Sequence, residues 1–227
     1  MGKKTPKRYS QWLEQVPKAP VALAEAVGVV QGFSGAKFDQ TIELTMHLGI
    51  DARQADQALR GSISLPHGIG KARRVIAFCD GEDVEKAEAA GAVAVGAEDL
   101  VKKIQDGWME FDVAISTPKM MRTVSRLGRI LGPQGKMPSP KAGTVVTDVA
   151  TAVSEYAAGK VEYRNDDGGN IHVPVGKMGF ETSQLVENIQ TMIDHVKKRR
   201  PVSAKGTYIK KVCISATMSP AVQVDLS

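Results

Sequence analysis

The hydrophobic periodicity of this chain changes character twice, and that constrains its fold more than any other feature. Thr41–Leu48 alternates, with Ile42, Leu44, Met46 and Leu48 on one side, the pattern of a strand buried on one face. An apolar helix is predicted over 20–30 and a short strand over 60–65, ending at the breaker run Pro66-His67-Gly68-Ile69-Gly70. Continuous apolar strands then alternate with helices: strands over 75–79, 92–95 and 111–115, helices over 82–90, 97–106, 118–130 and 147–158, and a Gly/Pro-rich loop over 131–143. Such alternation predicts a parallel sheet covered by helices. After residue 160 the first character returns. Strands over 160–164 and 170–175 flank the hairpin signal Asn165-Asp166-Asp167-Gly168-Gly169, an amphipathic helix follows over 181–198, and strands close the chain over 208–217 and 221–225.

The economical reading is a discontinuous α+β domain with an antiparallel sheet, residues 1–69 plus 160–227, interrupted by an inserted α/β domain with a Rossmann-like parallel sheet, residues 70–159. Both crossings carry glycine, at Gly68, Gly70 and Gly159, and read as a hinge.

The charge distribution points to a partner. The net charge of +5 is modest, but no acidic residue occurs between Asp112 and Asp148, where Lys119, Arg122, Arg126, Arg129, Lys136 and Lys141 fall. Acids are absent again between His195 and Val224, a window with Lys197, Lys198, Arg199, Arg200, Lys205, Lys210 and Lys211. A solvated face mixes signs. Two long acid-free basic stretches fit phosphate, whose neutralisation releases counterions. Aromatics are only 5% of the chain, too few for a surface built on base stacking. No apolar run approaches the roughly 20 residues of a membrane span, and residues 1–8 are polar and basic rather than signal-like. Cys79 and Cys213 each sit in an apolar run and read as reduced, buried thiols. The expected location is the cytoplasm.

An enzyme reading of the inserted part fails on its motifs. At Gly135-Lys136 a phosphate loop would need glycine where Ile130 stands and Ser or Thr where Met137 stands; at Gly70-Lys71 the same positions hold Leu65 and Ala72. The strand over 75–79 runs into Asp80-Gly81-Glu82-Asp83, whose acids repel a pyrophosphate. No H-E-x-x-H, C-x-x-C or G-x-S-x-G occurs. The expectation is a non-enzyme with no cofactor and no metal.

Several segments resemble, in order, the L-one family of large-subunit ribosomal proteins, found at the mobile stalk beside the exit site. They are Lys37-Phe38-Asp39, Leu48-Gly49-Ile50-Asp51, the run from Arg60 to Lys71, the Gly128 to Gly143 loop, Tyr163-Arg164-Asn165-Asp166, Ile171 to Lys177, Lys205-Gly206-Thr207 and Thr217-Met218. The resemblance covers nearly the whole chain and implies the same interrupted architecture. It implies that the α+β domain binds large-subunit rRNA through Lys37, Phe38, Thr217, Met218 and Ser219, with Asp166, Lys205 and Lys211 as further RNA contacts. It also implies contact with exit-site tRNA, for which Arg122, Arg126, Arg129, Lys136 and Lys141 of the insertion are the candidates, contact with other large-subunit components, and repression of the chain's own operon mRNA. A nucleotide-dependent α/β enzyme with an RNA-binding domain and a non-ribosomal RNA-binding protein remain the alternatives. Two positions depart from the family pattern. Ser219 replaces a turn glycine, and Asp167 stands where relatives carry lysine, so it would repel a phosphate at that tip.

Overall fold

The computed structural model describes residues 6–33, 36–54 and 56–225. In chain order its elements are α1 (Lys7–Gln15), α2 (Leu23–Gln31), β1 (Thr41–Leu48), β2 (Arg60–Ile63), β3 (Val75–Phe78), α3 (Glu82–Ala89), β4 (Ala94–Gly96), α4 (Glu98–Gln105), β5 (Val113–Ser116), α5 (Met121–Val124), α6 (Gly128–Leu131), α7 (Val149–Ala157), β6 (Val161–Arg164), β7 (Asn170–Lys177), α8 (Thr182–Lys198), β8 (Ile209–Ala216) and β9 (Val222–Val224). Two compact units emerge: Met1–Gly70 with Tyr163–Ser227, and Lys71–Glu162.

The first unit is built on a four-stranded sheet in the order β7-β1-β8-β9. β1 is central and antiparallel to both neighbours, Leu44 pairing with Val173 on one side and Ile214 on the other. Alternation decides which face is covered. Ile42, Leu44, Met46, Ile171, Val173, Val175, Val212 and Ile214 are fully buried, beneath α2 and α8. The opposite face is polar, with Glu43, Thr45, His47, His172, Lys211 and Ser215. α8 begins in a reciprocal capping box between Glu181 and Gln184 and ends in basic residues, both favourable to the helix dipole. From α8, the buried Asn188 fixes the 66–70 turn. Its amide oxygen accepts from the His67 N–H at 3.1 Å, and its amide nitrogen donates to the Gly68 and Val175 carbonyls at 3.0 and 2.8 Å. The glycines of the expected hinge, Gly68, Gly70 and Gly159, all adopt positive φ, which is sufficient reason for glycine there.

The second unit carries a parallel sheet in the order β4-β3-β5. Every residue of β3 and β5 is buried, because helices cover both faces. Ile76, Phe78 and Ala114 pack with α4 and the 120–131 segment, while Val75, Ala77 and Ile115 pack with α3 and α7. Asp148 caps α7, accepting from the Thr151 N–H at 3.2 Å.

The structure corrects three local expectations. The helix predicted over 118–130 is broken: α5 and α6 are separated by a 3-10 turn at Ser125–Leu127, and Pro118 precedes the helix instead of opening it. The two strands flanking the 165–169 turn do not pair along their length. β6 joins β2 in a separate two-stranded sheet, and a single bridge, Asn165 to Ile171, ties the turn itself. α1 was not expected; it contributes one buried residue, Trp12, whose ring lies 5.8 Å from that of Phe33. Of the polar stretch 1–8, residues 1–5 lie outside the described residues. Cys79 is buried, and burial followed by the nearby Asp83 and Asp80 pushes its thiol up to about 11; Cys213 is only half-buried. No helix among the described residues is long and apolar enough to cross a membrane.

Candidate nucleic-acid interface

At one end of the four-stranded sheet, three segments distant in sequence are tied together. Thr217, just past β8, donates its N–H to the Thr41 carbonyl at 3.0 Å, and its hydroxyl accepts from the Thr41 N–H at 3.2 Å. The buried Gln40 donates its side-chain amide to the Thr217 carbonyl, while its own carbonyl accepts from the Met178 N–H at 2.9 Å. Lys177 donates to the Thr41 hydroxyl at 2.9 Å and to the Asp39 carbonyl at 3.4 Å. These bonds fix both the 36–40 segment, with Lys37 and Phe38, and the turn bearing Met218 and Ser219. Lys37 is exposed; Phe38 and Met218 are 51% and 63% exposed, large apolar side chains held out in water by a polar framework. Sequence reasoning missed Gln40, which continues the buried phase of Ile42, Leu44 and Met46 two residues before Ile42 but is polar, so hydrophobic patterning passes over it.

Met218 has a φ of 70°, and among the described residues no other non-glycine has a positive φ. The turn enforces it: the Ser219 N–H donates to the Ala216 carbonyl at 2.9 Å, and the Ser219 hydroxyl accepts from the Ala216 N–H at 2.8 Å and donates to the Pro220 carbonyl at 3.0 Å. A bulky side chain in the left-handed region costs on the order of 1–3 kcal/mol, and such outliers gather at functional sites.

The remaining candidates of this unit lie at the other end of the sheet. Thr41 pairs with Lys177, whereas His47 pairs with Asn170 and Lys211, so the two ends are roughly 20 Å apart at a strand rise of about 3.3 Å per residue. Asp166 is a turn organiser. Its carboxylate accepts from the Asn170 N–H at 2.7 Å and from the Asn170 side chain at 2.9 Å, and those bonds hold its pKa below the usual carboxylate range. Lys205 and Lys211 are exposed at this far end. A bulge between His47 and Leu48 leaves Lys210 as an extra residue beside Lys211.

A profile of the Ribosomal protein L1p/L10e family matches residues 30–220. A protein of Limosilactobacillus reuteri subsp. reuteri (strain JCM 1112) described as large ribosomal subunit protein uL1 is 53% identical over 228 residues, spanning 100% of this chain and 99% of the relative. The chain belongs to this family. It is a ribosomal protein of the large subunit, with the two-part fold of an antiparallel and a parallel sheet.

Within this L1 protein the departure at Ser219 has a local explanation. The positive φ falls on Met218, so the backbone does not demand glycine at 219, and the serine hydroxyl closes the turn. In the second unit, Arg122, Arg126 and Arg129 are exposed at spacings of four and three, opposite the buried Val124, Leu127 and Leu131. Lys141 is exposed as well. Lys136 differs: its ammonium donates to the Met109 carbonyl at 3.3 Å and sits 4.9 Å from the Phe111 ring centre. That lysine is half-buried and has partners within its own unit.

Proposed function

We propose that this L1-family protein binds the stalk of large-subunit rRNA through the end of the first unit that carries Lys37, Phe38, Thr217, Met218 and Ser219. The observation that carries this reading is the exposed pair Phe38 and Met218, one of them on a strained backbone, displayed by a network that includes Gln40, Thr41 and Lys177. A rigid apolar pair with nearby backbone groups suits a folded RNA surface recognised by shape. Contact with exit-site tRNA through Arg122, Arg126, Arg129 and Lys141, help in releasing that tRNA, and repression of the chain's own operon mRNA follow as further parts of the same proposal. So does the absence of enzymatic activity: the acids at the end of β3 disfavour a nucleotide phosphate.

The test is a gel shift of the full chain on a transcribed stalk fragment against an unrelated RNA of equal length, repeated at rising salt. Preference for the stalk fragment, reduced about tenfold or more by Phe38→Ala, supports the reading. Equal affinity for both RNAs overturns it.

A further inference from the structure

Gln40 is a polar side chain in an apolar place. It is 3% exposed and stands one residue before β1, in phase with the buried Ile42, Leu44 and Met46. Methionine would fill similar space without burying an amide, so packing alone does not account for glutamine there. Both ends of the residue are held. Its backbone carbonyl accepts from the Met178 N–H at 2.9 Å, and its side-chain amide donates to the Thr217 carbonyl. Only the NH2 of an amide can face a carbonyl, so this bond also fixes which way the side chain is turned. Phe38 lies two residues before Gln40, and Met218 directly follows Thr217. The Thr41–Thr217 pair clamps the strand ends, whereas the Gln40 bond reaches the peptide unit that leads into Met218. Hydrogen bonds inside the turn give Met218 its left-handed backbone, but they do not set where the turn lies relative to Phe38. That relation is carried by the clamp and by Gln40.

We propose that Gln40 is a positioning residue for RNA recognition: through its amide, Phe38 and Met218 act as one apolar unit, each contributing to affinity only while the other is in place. The inference rests on the RNA-binding reading above and deepens it. A folded RNA read by shape rewards two apolar groups at one fixed separation. Holding that separation in the free protein removes an ordering cost from binding. Gln40 itself touches no RNA on this account; it acts through the two side chains that do.

Gln40→Met keeps the length of the side chain and removes the donor. The full chain, Gln40→Met, Phe38→Ala and the double variant are each titrated with the stalk fragment and with an unrelated RNA across a salt series. Gln40→Met is expected to bind the stalk fragment about fivefold to tenfold more weakly. Its affinity for the unrelated RNA and its dependence of log K on log salt should match the parent, because no phosphate contact is removed. In the Phe38→Ala background the same change is expected to cost less than about twofold, since one of the two positioned side chains is already gone. A loss of the same factor in both backgrounds refutes the proposal, as does a parallel loss for both RNAs, which would mean that the amide serves the fold alone. Parent-like binding by Gln40→Met also refutes it, while the RNA-binding reading stands. Should Gln40→Met not fold, a cycle on the exposed Phe38→Ala and Met218→Ala decides. A combined loss well short of the product of the single losses supports one coupled unit, and a combined loss equal to that product refutes it. A parent chain with no preference for the stalk fragment overturns both readings.

Discussion

Thr217 and Thr41 grip each other at the open end of the central sheet: each backbone N–H donates to the other residue, to the Thr41 carbonyl at 3.0 Å and to the Thr217 hydroxyl at 3.2 Å. The Thr217 hydroxyl also lies 3.3 Å from the Thr41 carbonyl, to which it donates. The side chain thus ties the exit of β8 to the entrance of β1, while the Thr217 backbone carbonyl accepts from Gln40, next to the segment bearing Phe38. Thr217→Val keeps the shape and removes the hydroxyl. It is expected to lower unfolding free energy by about 1 kcal/mol, the net worth of such a bond, and to weaken stalk-RNA binding by more than that. Thr217→Ser restores both. Urea unfolding beside a gel shift reads the two effects; a stability loss with unchanged affinity would show that no RNA contact depends on this clamp.

Met218 should respond with opposite signs in two assays. Its φ of 70° is a conformation that glycine adopts freely. Met218→Gly relieves that strain, offset by the larger unfolded-state entropy of glycine, and is expected to raise stability by up to about 1 kcal/mol. RNA affinity falls about tenfold, near 1.4 kcal/mol, because an exposed apolar contact is gone. Met218→Ala keeps the strain and should lose affinity without gaining stability. A glycine variant that binds RNA as well as the parent would remove Met218 from the interface.

Ser219→Gly, the change toward the family residue, touches the turn and not the apolar pair. The hydroxyl that bridges the Ala216 N–H and the Pro220 carbonyl disappears, and a stability loss of about 1 kcal/mol is expected from denaturant unfolding. RNA affinity should change less than twofold, since the hydroxyl is already spent inside the protein. A larger gain in affinity would mean that the serine side chain obstructs the RNA.

The second unit offers a contrast between neighbouring cations. Lys136→Ala removes a donor to the Met109 carbonyl and a contact with the Phe111 ring, and should cost about 1–2 kcal/mol. Arg129→Ala, on an exposed face, should stay within about 0.5 kcal/mol. Thermal unfolding of the two variants settles whether Lys136 serves the fold or a partner.

How far the sequence discloses these features follows from the physics of each segment. β1 was legible to the residue because one buried face forces strict alternation, and β3 and β5 because burial on both faces forces unbroken apolar runs. The 118–130 segment kept a helical spacing of Arg122, Arg126 and Arg129 across a 3-10 break, so periodicity alone saw one helix. The turn at 165–169 was legible from its Asp and Gly residues, but turn chemistry does not say which sheet each flanking strand joins. At the candidate site, Phe38 and Met218 came from family resemblance. Nothing in composition marks Met218 as left-handed, because hydrogen bonds within its own turn set that conformation, and Gln40, though in phase with the buried face of β1, is a polar residue that hydrophobic patterning does not count.

His195 gives the fold a pH dependence of definite sign. Burial, then the charges of Arg199 and Lys198, hold its pKa below the ordinary value of 6.5, and its Nε2 lies 3.0 Å from the Tyr163 hydroxyl. A depressed folded value means that the unfolded chain binds the proton more readily, so acid favours unfolding through this group. Its contribution is fully present above the unfolded pKa, declines as pH falls through about 6.5, and levels off below the folded value. Other groups titrate in the same range, so the informative quantity is a difference. The melting temperature of the parent should drop more between pH 7.5 and pH 5 than that of His195→Gln, which keeps a polar partner for Tyr163 and cannot take up the proton. Parallel pH profiles for the two proteins would show that His195 is equally easy to protonate in both states, and that neither its burial nor the cations beside it govern its titration.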